Sequence, residues 1–277
     1  MLGALVIVFR EVLEAAILIG IIAAATRDIP GRNRWLLGGL LAGLAGAGLV
    51  AAFTDVIGQM ASGIGQELFN AIILGLAVLM LAWHNIWMAS HGAALAKGAR
   101  EVGQAIREGR RECSILLVVV GLAVLREGAE TVLFLYGIGA TEGAQTSSML
   151  LGSLLGLGLG AAVGFAIYGG LLRVPMRWFF TATGLLVLLL AAGMASQAAR
   201  FLIQADVLPS LGAPLWDTSA LLPENSIPGM LLRSLVGYDA APVGMQLLFY
   251  AVVFVSIAAG MRIVNVRMAR QRKTASR

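Results

Sequence analysis

Arg10-Glu11-Val12-Leu13-Glu14 interrupts an apolar stretch spanning residues 2–25, and Arg126-Glu127-Gly128-Ala129-Glu130 interrupts another spanning 113–139. Both read Arg-Glu-x-x-Glu. An ionised side chain near the centre of a membrane helix costs roughly 2.5–3.5 kcal/mol, so six of them, unpaired and facing lipid, would cost roughly 15–20 kcal/mol. The two strings therefore mark helices whose charges face protein or a watery path, and they locate the candidate site.

The rest of the chain supports a membrane setting. Of its 277 residues, 59% are hydrophobic and 13% charged, against about 25% charged in a soluble domain. Uncharged runs such as 115–125 and 149–172 indicate membrane helices. Glycine, with 35 residues, suits helices that pack closely in lipid. The net charge of +5 is no nucleic-acid footprint, because the basic residues flank hydrophobic segments as topology signals do. A single cysteine, Cys113, excludes a disulfide framework or a thiolate metal site within one chain. The first apolar run contains Arg10, Glu11 and Glu14 and lacks the basic leader and cleavage site of a secretory signal, so it reads as a retained first helix.

Seven membrane spans are expected, over residues 2–25, 35–57, 68–89, 113–139, 148–172, 177–204 and 243–266. The first, third and fifth loops and the tail carry most of the Lys and Arg: Arg27, Arg32 and Arg34; Lys97, Arg100, Arg107, Arg110 and Arg111; Arg173 and Arg177; Arg267, Arg270, Arg272, Lys273 and Arg277. The second and fourth loops carry Asp55, Glu67 and Glu142 without Lys or Arg, and the sixth is mostly acidic, with Asp206, Asp217, Glu224 and Asp239 against Arg233. This alternation predicts an outer N-terminus and a cytoplasmic C-terminus. The basic tail also suits anionic lipid heads.

The chain repeats itself. Arg10 to Glu14 matches Arg126 to Glu130 at an offset of 116 residues. Leu36-Leu37-Gly38-Gly39-Leu40-Leu41-Ala42 matches Leu150-Leu151-Gly152-Ser153-Leu154-Leu155-Gly156 at 114, and the stretch from Gly75 matches that from Gly184 at 109. Helices one to three thus correspond to helices four to six. Three spans per copy reverse the second copy, giving an inverted-topology repeat with its site near the midplane. The expected fold is an all-α membrane protein in a single domain. Residues 1–89 and 113–204 are the two three-helix repeats, 205–242 an outer loop, 243–266 a seventh helix, and 267–277 a basic cytoplasmic tail. Gly152, Gly156, Gly160 and Gly164, and in the sister helix Gly38, Ala42 and Gly46, place small residues every fourth position, a helix-packing pattern. The Gly-x-Gly strings lack the preceding strand that a nucleotide loop needs.

On a helix, Arg10, Glu11 and Glu14 fall within an arc of about 100°, and Arg126, Glu127 and Glu130 do the same. Four carboxylates and two guanidiniums leave a formal charge of −2. Carboxylate oxygens suit hard cations such as Fe³⁺, Mn²⁺, Mg²⁺ or Ca²⁺. Each arginine can pair with its own i+4 glutamate until an ion displaces it. The candidate metal ligands are Glu11, Glu14, Glu127 and Glu130, with Arg10 and Arg126 as counter-ions in the site. The competing reading makes both motifs structural salt-bridge clamps. Asp55 and Gln59, with Glu67 and Asn70, read either as a cation-collecting outer mouth or as solvated helix ends. His84 and Asn85 fall toward the inner half of helix three, where the histidine reads as a satisfied core or interface residue or as an exit ligand. Gln197, Arg200 and Gln204 mark the outer end of helix six.

Two Arg-Glu-x-x-Glu motifs, in the first and fourth of seven helices, resemble those of the oxidase-dependent iron permeases, which include the fungal high-affinity iron permease and the bacterial elemental-ferrous-iron-uptake permease. Gln66-Glu67-Leu68-Phe69, Ala191-Ala192-Gly193 and Gly237-Tyr238-Asp239-Ala240-Ala241-Pro242 are similar to the bacterial members. The resemblance implies iron uptake across the cytoplasmic (inner) membrane of a bacterium. The iron would be ferric, delivered by a periplasmic or extracellular iron-oxidising partner, with the motif glutamates as ligands. Iron is then cargo; no organic cofactor, nucleic-acid partner or enzymatic activity is expected. The chain departs from the family pattern at Asn70, where glutamate is frequent, and in lacking a Glu-x-x-Glu string in its outer loop. The other readings are a permease for another hard divalent cation, a membrane enzyme using paired carboxylates, and a non-transporting metal sensor or scaffold. No His-Glu-x-x-His or nucleophile motif supports the enzyme.

Overall fold

A computed structural model describes residues 1–60, 65–142, 146–169, 176–224 and 226–275. Its elements are α1 (Leu2–Ala25), α2 (Arg32–Met60), α3 (Gln66–Arg107), α4 (Ile115–Glu142), α5 (Thr146–Tyr168), α6 (Met176–Gln204), α7 (Ile227–Val236) and α8 (Gly244–Ala275). No strand occurs among the described residues. Five segments are long and apolar enough to cross a membrane: Arg32–Thr54, Gln66–Trp87, Thr146–Tyr168, Thr181–Gln204 and Gly244–Val264. The two remaining long helices, α1 and α4, are those that carry the charged strings.

α1 lies along α5, and α2 along α4. Glycine makes both contacts possible. A Cβ added at Gly156 would sit 2.6 Å from the Leu5 carbonyl oxygen, and one at Gly160 would sit 2.9 Å from that of Phe9. In the other pair, a Cβ at Gly39 would meet the Leu117 carbonyl at 2.8 Å and one at Gly43 that of Gly121 at 2.7 Å. Residue numbers rise together along each contact, so both pairs are parallel. Side chains larger than hydrogen would hold these backbones apart, and close approach is what gives helix pairs their dispersion energy in lipid. The two contacts also map onto each other. Leu5 and Gly121 are 116 residues apart, as the motifs are, whereas Gly43 and Gly156 are 113 apart. The sequence match at 114 is thus shifted by one. The reason is that Gly39, not Gly38, meets backbone; Gly38 faces the Leu117 side chain, with its Cβ position 3.3 Å from Cδ1.

α3, α6 and α8 form the third group. Leu74, Leu81, Val187, Ala191 and Ile257 are buried there with Ile7 of α1 and Phe134 of α4. Asn85 donates to the Gly184 carbonyl at 2.9 Å, fixing α3 against α6.

Three boundaries differ from expectation. α3 continues to Arg107 instead of ending near 89, so the expected third loop is largely helical. Residues 97–107 hold good helix formers and no proline. This extension also has a core of its own, where Ala99 and Ile106 are buried with Ile22, Leu116 and Val120. Arg107 donates to the Ala25 carbonyl at 2.7 Å, and Arg32 to that of Ala23. Two residues read as topology signals therefore also cap the C-terminal carbonyls of α1. α8 runs on to Ala275, so most of the expected tail is helical. The expected outer loop contains α7. Ser226 caps α7 by accepting from Gly229 N at 3.1 Å, and Gly237 ends it at φ 74°. Gly237 rests on Gly193 of α6 with no room for a side chain on either.

Candidate metal site

The two charged strings meet, and they do so because of the parallel pairs. Gly156, Gly160 and Gly164 occupy one side of α1, while Arg10, Glu11 and Glu14 are buried in the protein interior. In the same way Gly39 and Gly43 take one side of α4, and Glu127 and Glu130 project from another. Ligand-capable atoms of Glu11, His84, Glu127 and Glu130 all lie within 4.8 Å of one another. Among the described residues this is the one cluster of three or more His, Cys, Asp or Glu side chains able to hold a metal ion.

Both expected i+4 pairs are present. Arg10 Nε lies 3.1 Å from Glu14 Oε1, and Arg126 Nε donates to Glu130 Oε1 at 3.0 Å. Arg10 also donates from Nη1 to Glu11 Oε1 at 3.2 Å. The halves are not equivalent. The Arg10 side chain is 2% exposed and the Arg126 side chain 38%. Arg126, whose contact with its second carboxylate Glu127 is a longer 3.8 Å, covers the Trp87 ring with its guanidinium carbon 4.3 Å from the centroid, a geometry that also stabilises a cation. The cluster is thus more deeply buried on its α1 side than on its α4 side.

His84 of α3 joins the two strings. Its Nε2 lies 3.5 Å from Glu14 Oε2, and its Nδ1 contacts Glu130 Oε2. Among the described residues, every buried side-chain nitrogen or oxygen that makes no aligned hydrogen bond belongs to Arg10, Glu11, Glu14, His84, Glu127 or Glu130. Arg10 Nε and Glu14 Oε1 are within ion-pair distance but poorly aligned, which explains their place in that set. Six of these eight atoms lie in ion pairs within the cluster, and such a concentration of buried charge is costly in a fold that needs no ligand. The donor set fits a cation: three carboxylates and an imidazole converge, and Glu11 Oε2 and Glu127 Oε2 make no aligned hydrogen bond.

The sequence reading and the site overlap without coinciding. Glu11, Glu127 and Glu130 come together as expected. Glu14 lies beside the group, its oxygens toward Arg10 and His84. His84, which the sequence left as a core residue or an exit ligand, occupies the centre. The signal was available, since an ionisable residue deep in a membrane span is a functional candidate by default. The expected outer mouth does not join the cluster. Glu67 is exposed in the first turn of α3 and Asn70 is half-buried; the side chains of Asp55 and Gln59 lie outside the described residues. Three acids of the expected outer loop are engaged locally. Glu224 binds Arg233 at 3.0 Å and the Ala240 N–H at 3.1 Å. Asp239 accepts from Gln246 at 3.0 Å. Asp217 accepts from Ser219, which holds its carboxyl below the usual range.

Comparisons with known proteins point the same way. The model of the iron permease FTR1 family matches residues 1–272. The ferrous iron permease EfeU of Escherichia coli (strain UTI89 / UPEC) is 32% identical over 241 residues, covering 85% of this chain and 86% of the relative; that of Shigella sonnei (strain Ss046) gives the same figures. The ferrous iron permease EfeU of Yersinia pestis is 31% identical over 258 residues, covering 88% and 87%. No solved structure matches the chain.

Proposed function

The chain belongs to the iron permease FTR1 family, and from that premise we propose that it carries iron across the bacterial cytoplasmic membrane through the cluster between α1 and α4. The observation that carries this reading is the convergence of Glu11, Glu127 and Glu130, from two buried charged strings, within 4.8 Å. Seven spans are proposed, the five apolar segments together with α1 and α4. At 1.5 Å per residue, 24 and 28 residues are long enough for a hydrocarbon core of ~30 Å. The matched contacts of α1 with α5 and of α4 with α2 support the inverted repeat, and the loop charges support an outer N-terminus. In this plan the two parallel pairs each carry one motif and the α3–α6–α8 group supplies the frame.

Charge balance supports the ferrous ion. Four ionised glutamates and two arginines leave −2, which one divalent cation neutralises. The relatives' names agree with that form. The ferric ion passed on by an oxidising outer partner, as the resemblance implies, would leave surplus positive charge in the same cavity. Uptake into proteoliposomes, with ferrous and ferric iron supplied separately and no partner protein present, tests the proposal. Accumulation of ferrous iron, with ferric iron excluded, is the expected result. Accumulation of neither would remove the function, and accumulation of ferric iron alone would remove the oxidation state.

A further inference from the structure

We propose that His84 is a nitrogen ligand of the transported ion and biases the site toward ferrous and other transition-metal dications over Mg²⁺ and Ca²⁺. The inference rests on the reading that the ion binds between the two charged strings.

His84 is 2% exposed and belongs to neither string. A buried histidine with a purely structural role normally satisfies its N–H on a carbonyl or hydroxyl. Neither ring nitrogen of His84 makes an aligned hydrogen bond. Each instead faces a carboxylate from a different motif, Nε2 that of Glu14 and Nδ1 that of Glu130. Two atoms each about 2.1 Å from one ion are at most about 4.2 Å apart. The four donors, all within 4.8 Å of one another, are therefore near that limit, and an ion entering between His84 Nδ1 and Glu130 Oε2 would part their direct contact.

The surroundings suit ligation. A ligating imidazole usually donates its other N–H to a carboxylate, which fixes ring orientation. With Nδ1 turned to the ion beside Glu130, Nε2–H faces Glu14. That gives Glu14, which stands outside the donor group, a positioning role. The ring is carried by a fixed helix, because neighbouring Asn85 is bonded to Gly184 of α6. The position 109 residues on, the offset of the third repeat match, is Gly193, which has no side chain. Only one half of the molecule thus contributes nitrogen. Imidazole nitrogen suits iron, zinc, copper and nickel, whereas an all-oxygen set suits magnesium, calcium and manganese.

Mn²⁺ bound to the purified full chain in detergent gives a direct readout, because a coordinated imidazole nitrogen modulates its electron spin echo. The chain has two histidines, His84 and His91. The expected result is nitrogen modulation in the native protein and in His91→Gln, and none in His84→Gln. Competition should also show the preference of His84→Gln for Fe²⁺ over Mg²⁺ falling by about 10-fold or more. Should His84→Gln fail to fold, labelling the native protein and His91→Gln with ¹⁵N-histidine replaces the variant, since the modulation must change to that of ¹⁵N. Mn²⁺ that binds without nitrogen modulation, or modulation that survives in His84→Gln or ignores the label, overturns the ligand role and leaves the carboxylate site standing. Failure of the native chain to bind Mn²⁺, Fe²⁺ or Zn²⁺ overturns both.

Discussion

Glu127→Gln and Glu11→Gln should each lower iron uptake on the order of 100-fold or more in proteoliposomes, with the protein still folded. Losing even an outer partner of a metal ligand typically costs about 10–100-fold, and these substitutions remove a ligand charge itself. Glutamine keeps the shape of glutamate. Glu127 Oε2 and Glu11 Oε2 make no aligned hydrogen bond, and glutamine can keep the side-chain contact between the two residues, so neutralising either removes little that holds the fold. Glu127→Gln is the cleaner case, because Glu11 also binds Arg10 through Oε1 at 3.2 Å, whereas the Glu127 contact with Arg126 is 3.8 Å. The clamp reading makes the opposite statement: uptake is retained or falls only as far as folded protein is lost. Radioactive iron uptake, normalised to folded protein and set beside thermal unfolding, separates them.

The two arginines should differ sharply when replaced. Arg10→Gln leaves Glu11 and Glu14 buried beside each other without their cation. Breaking a buried pair in this way costs about 3–5 kcal/mol. Arg126→Gln removes a half-exposed ion pair and the contact with Trp87, together worth about 1–2 kcal/mol. The unfolding midpoint of Arg10→Gln should therefore lie well below that of Arg126→Gln, with the native protein close above the latter. Equal losses would mean that the 2% and 38% exposures do not describe the working environment of the two side chains.

Much of this architecture was legible because the membrane makes charge conspicuous. Arg10, Glu11, Glu14 and their counterparts stood out against apolar sequence, and their shared arc required that they face something other than lipid. The glycines at 152, 156, 160 and 164 announced close packing. They could not announce the partner: that α5 packs on α1, and α2 on α4, depends on which grooves are left once both strings turn inward. The long α3 was hidden because its charged second half looks like a loop to a hydropathy reading. Only its buried Ala99 and Ile106, packed on α1 and α4, reveal why it stays helical. His84 was undervalued because one histidine in one span has no periodic partner. Its meaning comes from Glu14 and Glu130, which arrive from two other helices. The acidic segment 205–242 read in sequence only as a loop, because what organises it is local and unperiodic: Glu224 and Asp239 bind Arg233, Gln246 and backbone N–H groups within the segment and its flanking helix.

The most direct test of the whole account is to find the ion. Anomalous scattering from crystals of the chain grown with Fe²⁺ or Mn²⁺ should give one strong peak between α1 and α4, about 2.0–2.2 Å from carboxylate oxygens of Glu11, Glu127 and Glu130. A peak confined to the outer segment around Asp217 and Asp239, with none between the two charged strings, would contradict it.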